Sequence, residues 1–248
     1  MSFMNRLAHG LALLSLLVSQ QAAAASLRIS PIGLDLSEKD RAASITLSNS
    51  AEEPVSLQIR IFKWTQVDGE DKLDPTDEML VSPPAATVPA GASYTIRVAR
   101  PSVTPVTSEL AYRVFIDELP KPIDPETGAR GISMVLRTSM PVFVTPEKAK
   151  AQLQWSVAPS GVDLAVTVRN SGARSVKVAN LSATTKDGTP LVATEGLNGY
   201  VLAGVARTFK LAPESGKKLP QLASGSVVTI TAKNRTDDIK EDVVVALP

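Results

Sequence analysis

The sequence predicts an all-β protein built as two sandwiches in tandem. Three observations carry this. Apolar residues recur at every second position in a series of short segments, as they do when one strand face is buried and the other is wet. Turn residues separate these segments, and hardly any stretch shows the 3.6-residue spacing of an amphipathic helix. The length, 248 residues, allows two domains of roughly 100–120 residues each after a leader, an ordinary domain size.

The leader comes first. Arg6 precedes the apolar run "LALLSLLVSQ" (11–20), and "QAAAAS" (21–26) offers small residues for cleavage between Ala25 and Ser26. The apolar core is too short to span a bilayer, so residues 1–25 read as a secretory signal peptide. No later run approaches ~18 apolar residues, and no membrane insertion is expected once the signal is cleaved. The expected compartment is a bacterial periplasm.

After Ser26 the first set of strands is "SITLSN" (44–49), "VSLQIRIFKW" (55–64), "SYTIRVAR" (93–100) and "AYRVFIDEL" (111–119). Val55, Leu57, Ile59 and Ile61 share one face, and Tyr94, Ile96 and Val98 alternate with Thr95, Arg97 and Ala99. Pro83-Pro84 favour an extended entry, and Pro89-Ala90-Gly91 a turn. The set closes with "GISMVLRTSMPVFVTP" (131–146), where Ile132, Met134 and Leu136 alternate. Pro141 cannot donate to a central ladder, so this strand should lie at an edge or bend there. A long apolar edge invites pairing with another chain.

A polar connector, "TPEKAKA" (145–151), precedes the second set. It comprises "LQWSVA" (153–158), "DLAVTVRN" (163–170), "SVKVANLSATTKDGTPL" (175–191) with an Asp187-Gly188 turn, "ARTFKL" (206–211), "SVVTITAKN" (226–234) and "EDVVVAL" (241–247). The expected division is therefore 1–25 signal, 26–146 first domain and 147–248 second domain.

Composition narrows the chemistry. The chain has no cysteine, and its one histidine, His9, leaves with the signal. Without imidazole or thiol, Ser-His-Asp and Cys-His catalysis are excluded, as are the usual zinc and copper sites. Of 26 basic and 25 acidic residues, the signal holds only Arg6, leaving 25 of each sign. A nucleic-acid binder should show a basic excess, and none is visible. The acidic stretch "VDGEDKLDPTDE" (67–78) does not match a calcium loop and reads as a solvated hairpin loop. No metal, cofactor or catalytic residue is expected, and an enzyme ranks last.

One ordered combination says more. The double proline, the Pro-x-Gly turn, an arginine-containing strand, "AYRVFIDELP" and "ISMVLRTSMPVFVTP" together resemble the PapD-like periplasmic chaperones of the chaperone–usher pathway. The "PVFV" ending resembles the archaic branch. The resemblance implies two immunoglobulin-like sandwiches set at an angle. It also implies a chaperone that holds pilus subunits by donor-strand complementation and passes them to an outer-membrane usher. The alternative is an exported two-domain sandwich with a structural or adhesive role.

The resemblance makes Ile132, Met134, Leu136 and Thr138 the subunit-binding donor positions; the competing reading places them in the protein's own core. Many family members anchor the subunit's terminal carboxylate with an arginine and a lysine. Here the matching positions fall at or near Gly33 and on Pro141, so both charges are missing. Arg113 is the first candidate replacement, followed by Arg137 and Arg28, because an arginine fork suits a carboxylate. The competing role for Arg113 is a surface ion pair with Asp117.

Overall fold

The computed structural model describes residues 27–102, 104–120, 135–213, 217–235 and 237–245. The signal-peptide segment and the candidates Ile132 and Met134 lie outside the described residues. Every regular element described is a strand.

Ten strands form the first pair of sheets: β1 (Leu27–Ser30), β2 (Leu34–Ser37), β3 (Ala42–Asn49), β4 (Val55–Val67), β5 (Glu70–Pro75), β6 (Leu80–Ser82), β7 (Ala85–Val88), β8 (Ser93–Ala99), β9 (Leu110–Glu118) and β10 (Arg137–Thr145). One sheet runs β1-β3-β8-β6, the other β2-β10-β9-β4-β5, with β7 also paired to β4. The period-2 pattern decides which faces meet. Ile45, Leu47, Ile96 and Val98 from the smaller sheet pack against Leu57, Ile59, Val114 and Ile116 from the larger, all fully buried. Each such side chain contributes about 1.5–3 kcal/mol relative to exposure.

Eight strands form the second pair: β11 (Leu153–Ser160), β12 (Asp163–Asn170), β13 (Val176–Thr185), β14 (Pro190–Ala193), β15 (Leu197–Val201), β16 (Ala206–Leu211), β17 (Val227–Asn234) and β18 (Asp237–Val244). The sheets are β11-β12-β16 and β14-β13-β17-β18, with β15 on β13. Val157, Val166, Val178, Leu181 and Ile230 lie in their common core. Buried Asn170 is fully used: its Nδ2 donates to the Arg174 and Leu202 carbonyls, and its Oδ1 accepts from the Gln152 and Gly172 amides. Gly172 is required by close approach, since a Cβ there would lie 2.3 Å from the Lys150 carbonyl oxygen. That contact fastens the connector to the second sandwich.

The acidic stretch corrects one expectation. It is a solvent-exposed hairpin but not a loop: residues 70–75 form β5, laddered to β4 with Val67 opposite Glu70. Asp68 (φ 54°) and Gly69 (φ 80°) both have positive φ, the conformation of a two-residue type I′ hairpin turn, for which Asp-Gly is a preferred pair. Two of its carboxylates are held by hydrogen bonds. Asp71 accepts from Trp64 Nε1 at 3.0 Å and Gln66 Nε2 at 2.7 Å, and Glu78 accepts from Lys63 and from the Tyr112 hydroxyl. Among the described residues no group of three or more Asp, Glu, His or Cys is arranged to hold a metal.

Candidate functional site: an open strand edge beside an arginine-lined aromatic junction

The site begins with the backbone of β10. Its register against β9 is unbroken from Arg137↔Asp117 to Val144↔Leu110, and the Glu118 amide donates to the Leu136 carbonyl at 2.9 Å. In an antiparallel ladder, directly opposed residues alternate between bonded and non-bonded pairs. The even-numbered residues of β10 therefore bond to β9, and the odd-numbered ones turn their N–H and C=O away from it. The Glu38 amide bonding the Thr145 carbonyl on the far side fits this parity.

On that far side β2 covers only Val142–Thr145, in parallel register with Leu34–Ser37. From Arg137 to Pro141 no described strand pairs there. The strand is thus an edge in its first half and interior in its second. Pro141 stands where this changes, with its missing N–H on the uncovered side. This refines the sequence expectation, which placed the whole strand at an edge or at a bend. Gly33 explains how β2 approaches so closely, because a Cβ on it would meet Pro141 Cγ at 3.3 Å. Gly33 and Pro141 therefore pack against each other.

Side chains on β10 split by the same parity. Met140, Val142 and Val144 enter the first core. Half-buried Thr138, opposite Ile116, continues that face. Leu136, two residues earlier, is 43% exposed and its neighbour Val135 48% exposed. The core face of β10 thus runs out past the sandwich into solvent.

The opposite face of the larger sheet carries rings and cations. Phe62 and Phe115 meet edge-to-face with centroids 5.5 Å apart, flanked by Arg60 and Arg137. Asp117 joins these two arginines, accepting from Arg60 Nη2 at 2.6 Å and from Arg137 Nε. Burial pushes its carboxyl up, but the hydrogen bonds from Arg137 and Arg60 outweigh this and hold it below the usual range. Asp117 is therefore the partner of Arg60 and Arg137, and the surface pair considered for Arg113 is not formed.

Arg113 lies deeper. Its guanidinium sits 3.8 Å from the Trp64 ring centroid and 5.6 Å from that of Tyr200. Burial lowers its pKa, and Asp71 only partly offsets this. Among the described residues no carboxylate comes within ion-pair distance of it, so this is a desolvated cation held by aromatic faces. The remaining candidates are not gathered there. Arg137 is exposed and committed to Asp117, and Arg28 is an exposed residue of β1 in the other sheet, opposite Ser48.

Sequence reasoning missed the rest of this junction. Trp64, Phe143 and Tyr200 pack with centroids 5.4–5.9 Å apart and bury Leu202 beside them. Gln66 spans the two sandwiches, its Nε2 donating to the Tyr200 carbonyl at 2.9 Å and its Oε1 accepting from the Leu202 amide at 3.0 Å. Arg207 also donates to the Tyr200 carbonyl, and to Asp71 across the junction. The one local sign was that β4 turns aromatic and polar at Phe62–Gln66 on its non-core face.

A family model described as the pili and flagellar-assembly chaperone, PapD N-terminal domain, matches residues 26–150, just over half of the chain. The chain matches none of the curated proteins by sequence. Among solved structures, it is similar to the CsuC–CsuE chaperone–tip adhesion subunit pre-assembly complex from archaic chaperone-usher Csu pili of Acinetobacter baumannii. That match has a TM-score of 0.66 at 22% identity, over 90% of this chain and 100% of that one. The YadV chaperone gives 0.62 at 17% over 89% and 100%. The SafB chaperone in complex with the SafA pilin of Salmonella enterica gives 0.59 at 18% over 88% and 96%.

Proposed function

Because the chain belongs to the pili and flagellar-assembly chaperone family, we propose that it binds pilus subunits by lending them the strand that ends in β10, and then delivers them to an outer-membrane usher. The observation that carries this reading is the uncovered backbone from Arg137 to Pro141, preceded by exposed Val135 and Leu136. An added strand would bond to the outward N–H and C=O groups, and alternate apolar side chains would fill the subunit's open groove. Ile132, Met134, Leu136 and Thr138 are the proposed donor positions. Similar structures solved with a tip adhesion subunit and with a pilin support the choice of partner.

Arg113 is the proposed anchor for the subunit's terminal carboxylate. A guanidinium already desolvated over two rings, with no carboxylate paired to it, is suited to take one from a partner. The same reading places the mature protein in the periplasm after cleavage of residues 1–25 and the domain boundary between 146 and 147. It assigns no catalysis.

Co-expression with a pilus subunit from the same organism tests the proposal. A discrete complex that survives size-exclusion chromatography, in a fraction released from the periplasm, is expected. A soluble subunit that never co-elutes would overturn it.

A further inference from the structure

Tyr200 enters the junction from the second sandwich with its ring fixed and its hydroxyl unused. Its carbonyl accepts from Gln66 Nε2 at 2.9 Å and from Arg207 Nη1 at 3.1 Å. The ring lies 5.4 Å from Trp64 and 5.8 Å from Phe143, centroid to centroid. The hydroxyl makes no hydrogen bond among the described residues, yet it is not one of the buried orphans there, which are Arg60 Nε, Trp155 Nε1, Ser175 Oγ and Arg235 Nη2. Its oxygen therefore reaches solvent, although the residue as a whole is only 9% exposed. The Arg113 nitrogens are likewise unbonded and likewise not among these orphans, so they too reach solvent.

Charge and position mark what these two groups can share. Arg207 is paired with Asp71 and Arg235 with Asp35, which leaves Arg113 as the unmatched charge beside the ring. Burial raises the Tyr200 pKa, the nearby Arg113 and Arg235 charges oppose this, and Asp35 adds to it. The phenol thus keeps its proton at neutral pH and can donate. Register supplies the position. β2 runs parallel to β10 from Leu34↔Val142 onward, so a strand added along Arg137–Pro141 must end where Gly33 packs on Pro141. If it runs parallel to β10, as β2 does, the end that arrives there is its C-terminus. Arg113 stands directly opposite Pro141 on β9. Phe143, against which Tyr200 packs, is two residues further along β10.

On the reading that Arg113 anchors the subunit's terminal carboxylate, we propose that Tyr200 donates its hydroxyl to the same carboxylate, so that the anchor is assembled from both sandwiches. A carboxylate has two oxygens and can accept from a guanidinium and a phenol at once. The first sandwich supplies the charge and the second a neutral donor. Capture of the subunit then requires the two sandwiches to be held in their present setting.

Competition tests this. A limiting amount of a pilus subunit from the same organism is refolded with equal amounts of wild-type protein and one variant, distinguished by tags. The ratio of the two complexes reads relative affinity. Tyr200→Phe keeps the ring and loses only the hydroxyl. It should bind about tenfold or more weakly, the worth of a hydrogen bond to a charged group, while its free Tm is unchanged because that oxygen has no bond to lose. The deficit should disappear with a subunit extended by two glycines, whose carboxylate is displaced. Equal shares for Tyr200→Phe beside a deficit for Arg113→Ala would overturn the role of Tyr200 alone, as would a deficit that persists with the extended subunit. Equal shares for both variants would remove the anchor from this junction, and no complex with the wild type would overturn the proposed function itself.

Discussion

At the scale of single residues, two charges do different work on one sheet face. Asp117 has a folded pKa below its ordinary value. Such a group contributes its stability in full above the unfolded value, about 3.9, and loses it as pH falls through the folded value. The first sandwich should therefore weaken from about pH 4 downward. Asp117→Asn should cost about 1–3 kcal/mol at neutral pH by weakening charged hydrogen bonds. It should also flatten part of the acid limb; melts of both proteins across pH check this, and an unchanged limb would contradict it. Arg113→Ala should cost about 1–2 kcal/mol of folding, the worth of a desolvated cation–ring contact. Subunit binding should fall further, by about 2–5 kcal/mol, if the guanidinium anchors a carboxylate. Melting beside subunit pull-down separates the two losses, and equal losses would return Arg113 to a packing role. Arg113 itself could be picked from the sequence. Its seat on Trp64 and Tyr200 could not, because those rings come from different sandwiches.

At the scale of elements, β10 is where function parts from stability. Leu136 and Met140 have the same parity, yet one is 43% and the other 1% exposed. Leu136→Asn should change stability by less than about 1 kcal/mol, as outside a core. Met140→Ala should cost about 2–5 kcal/mol, as a buried truncation. Chemical denaturation of both variants decides; a badly destabilised Leu136→Asn would mean that this position is core. Most strands were legible because their apolar alternation is local. β5 was not, since "EDKLDP" has no apolar face to read and owes its position to the Asp68-Gly69 turn and to bonds on Asp71. The Asp-Gly pair was the available signal. The half-edge character of β10 was illegible for another reason: it depends on β2 arriving at Leu34, a parallel pairing across a long stretch of chain.

At the scale of the whole molecule, the two sandwiches are joined by a small aromatic cluster and a few polar bonds. Gln66 is central because its amide answers one carbonyl and one N–H of the second sandwich at the same time. Gln66→Ala leaves the buried Leu202 N–H unmet, at a cost of about 1–3 kcal/mol, while the Tyr200 carbonyl keeps its bond from Arg207. The expected result is a loosened junction, read as NMR shift changes around Tyr200 and Leu202 while core signals of both sandwiches stay in place. Changes confined to β4 would show that the contact matters little. The two-sandwich plan was legible from strand count and the polar connector. The junction was not, because nothing local marks Gln66 or Tyr200 as partners.

The central claim is that a partner strand adds to the uncovered edge of β10, and amide hydrogen exchange tests it most directly. In the free protein the outward amides of Arg137 and Ser139 should exchange quickly, while those of Thr138 and Met140, bonded to β9, are protected. In the complex with its subunit, Arg137 and Ser139 should become protected as well. Fast exchange at both positions in a stable complex would contradict the claim.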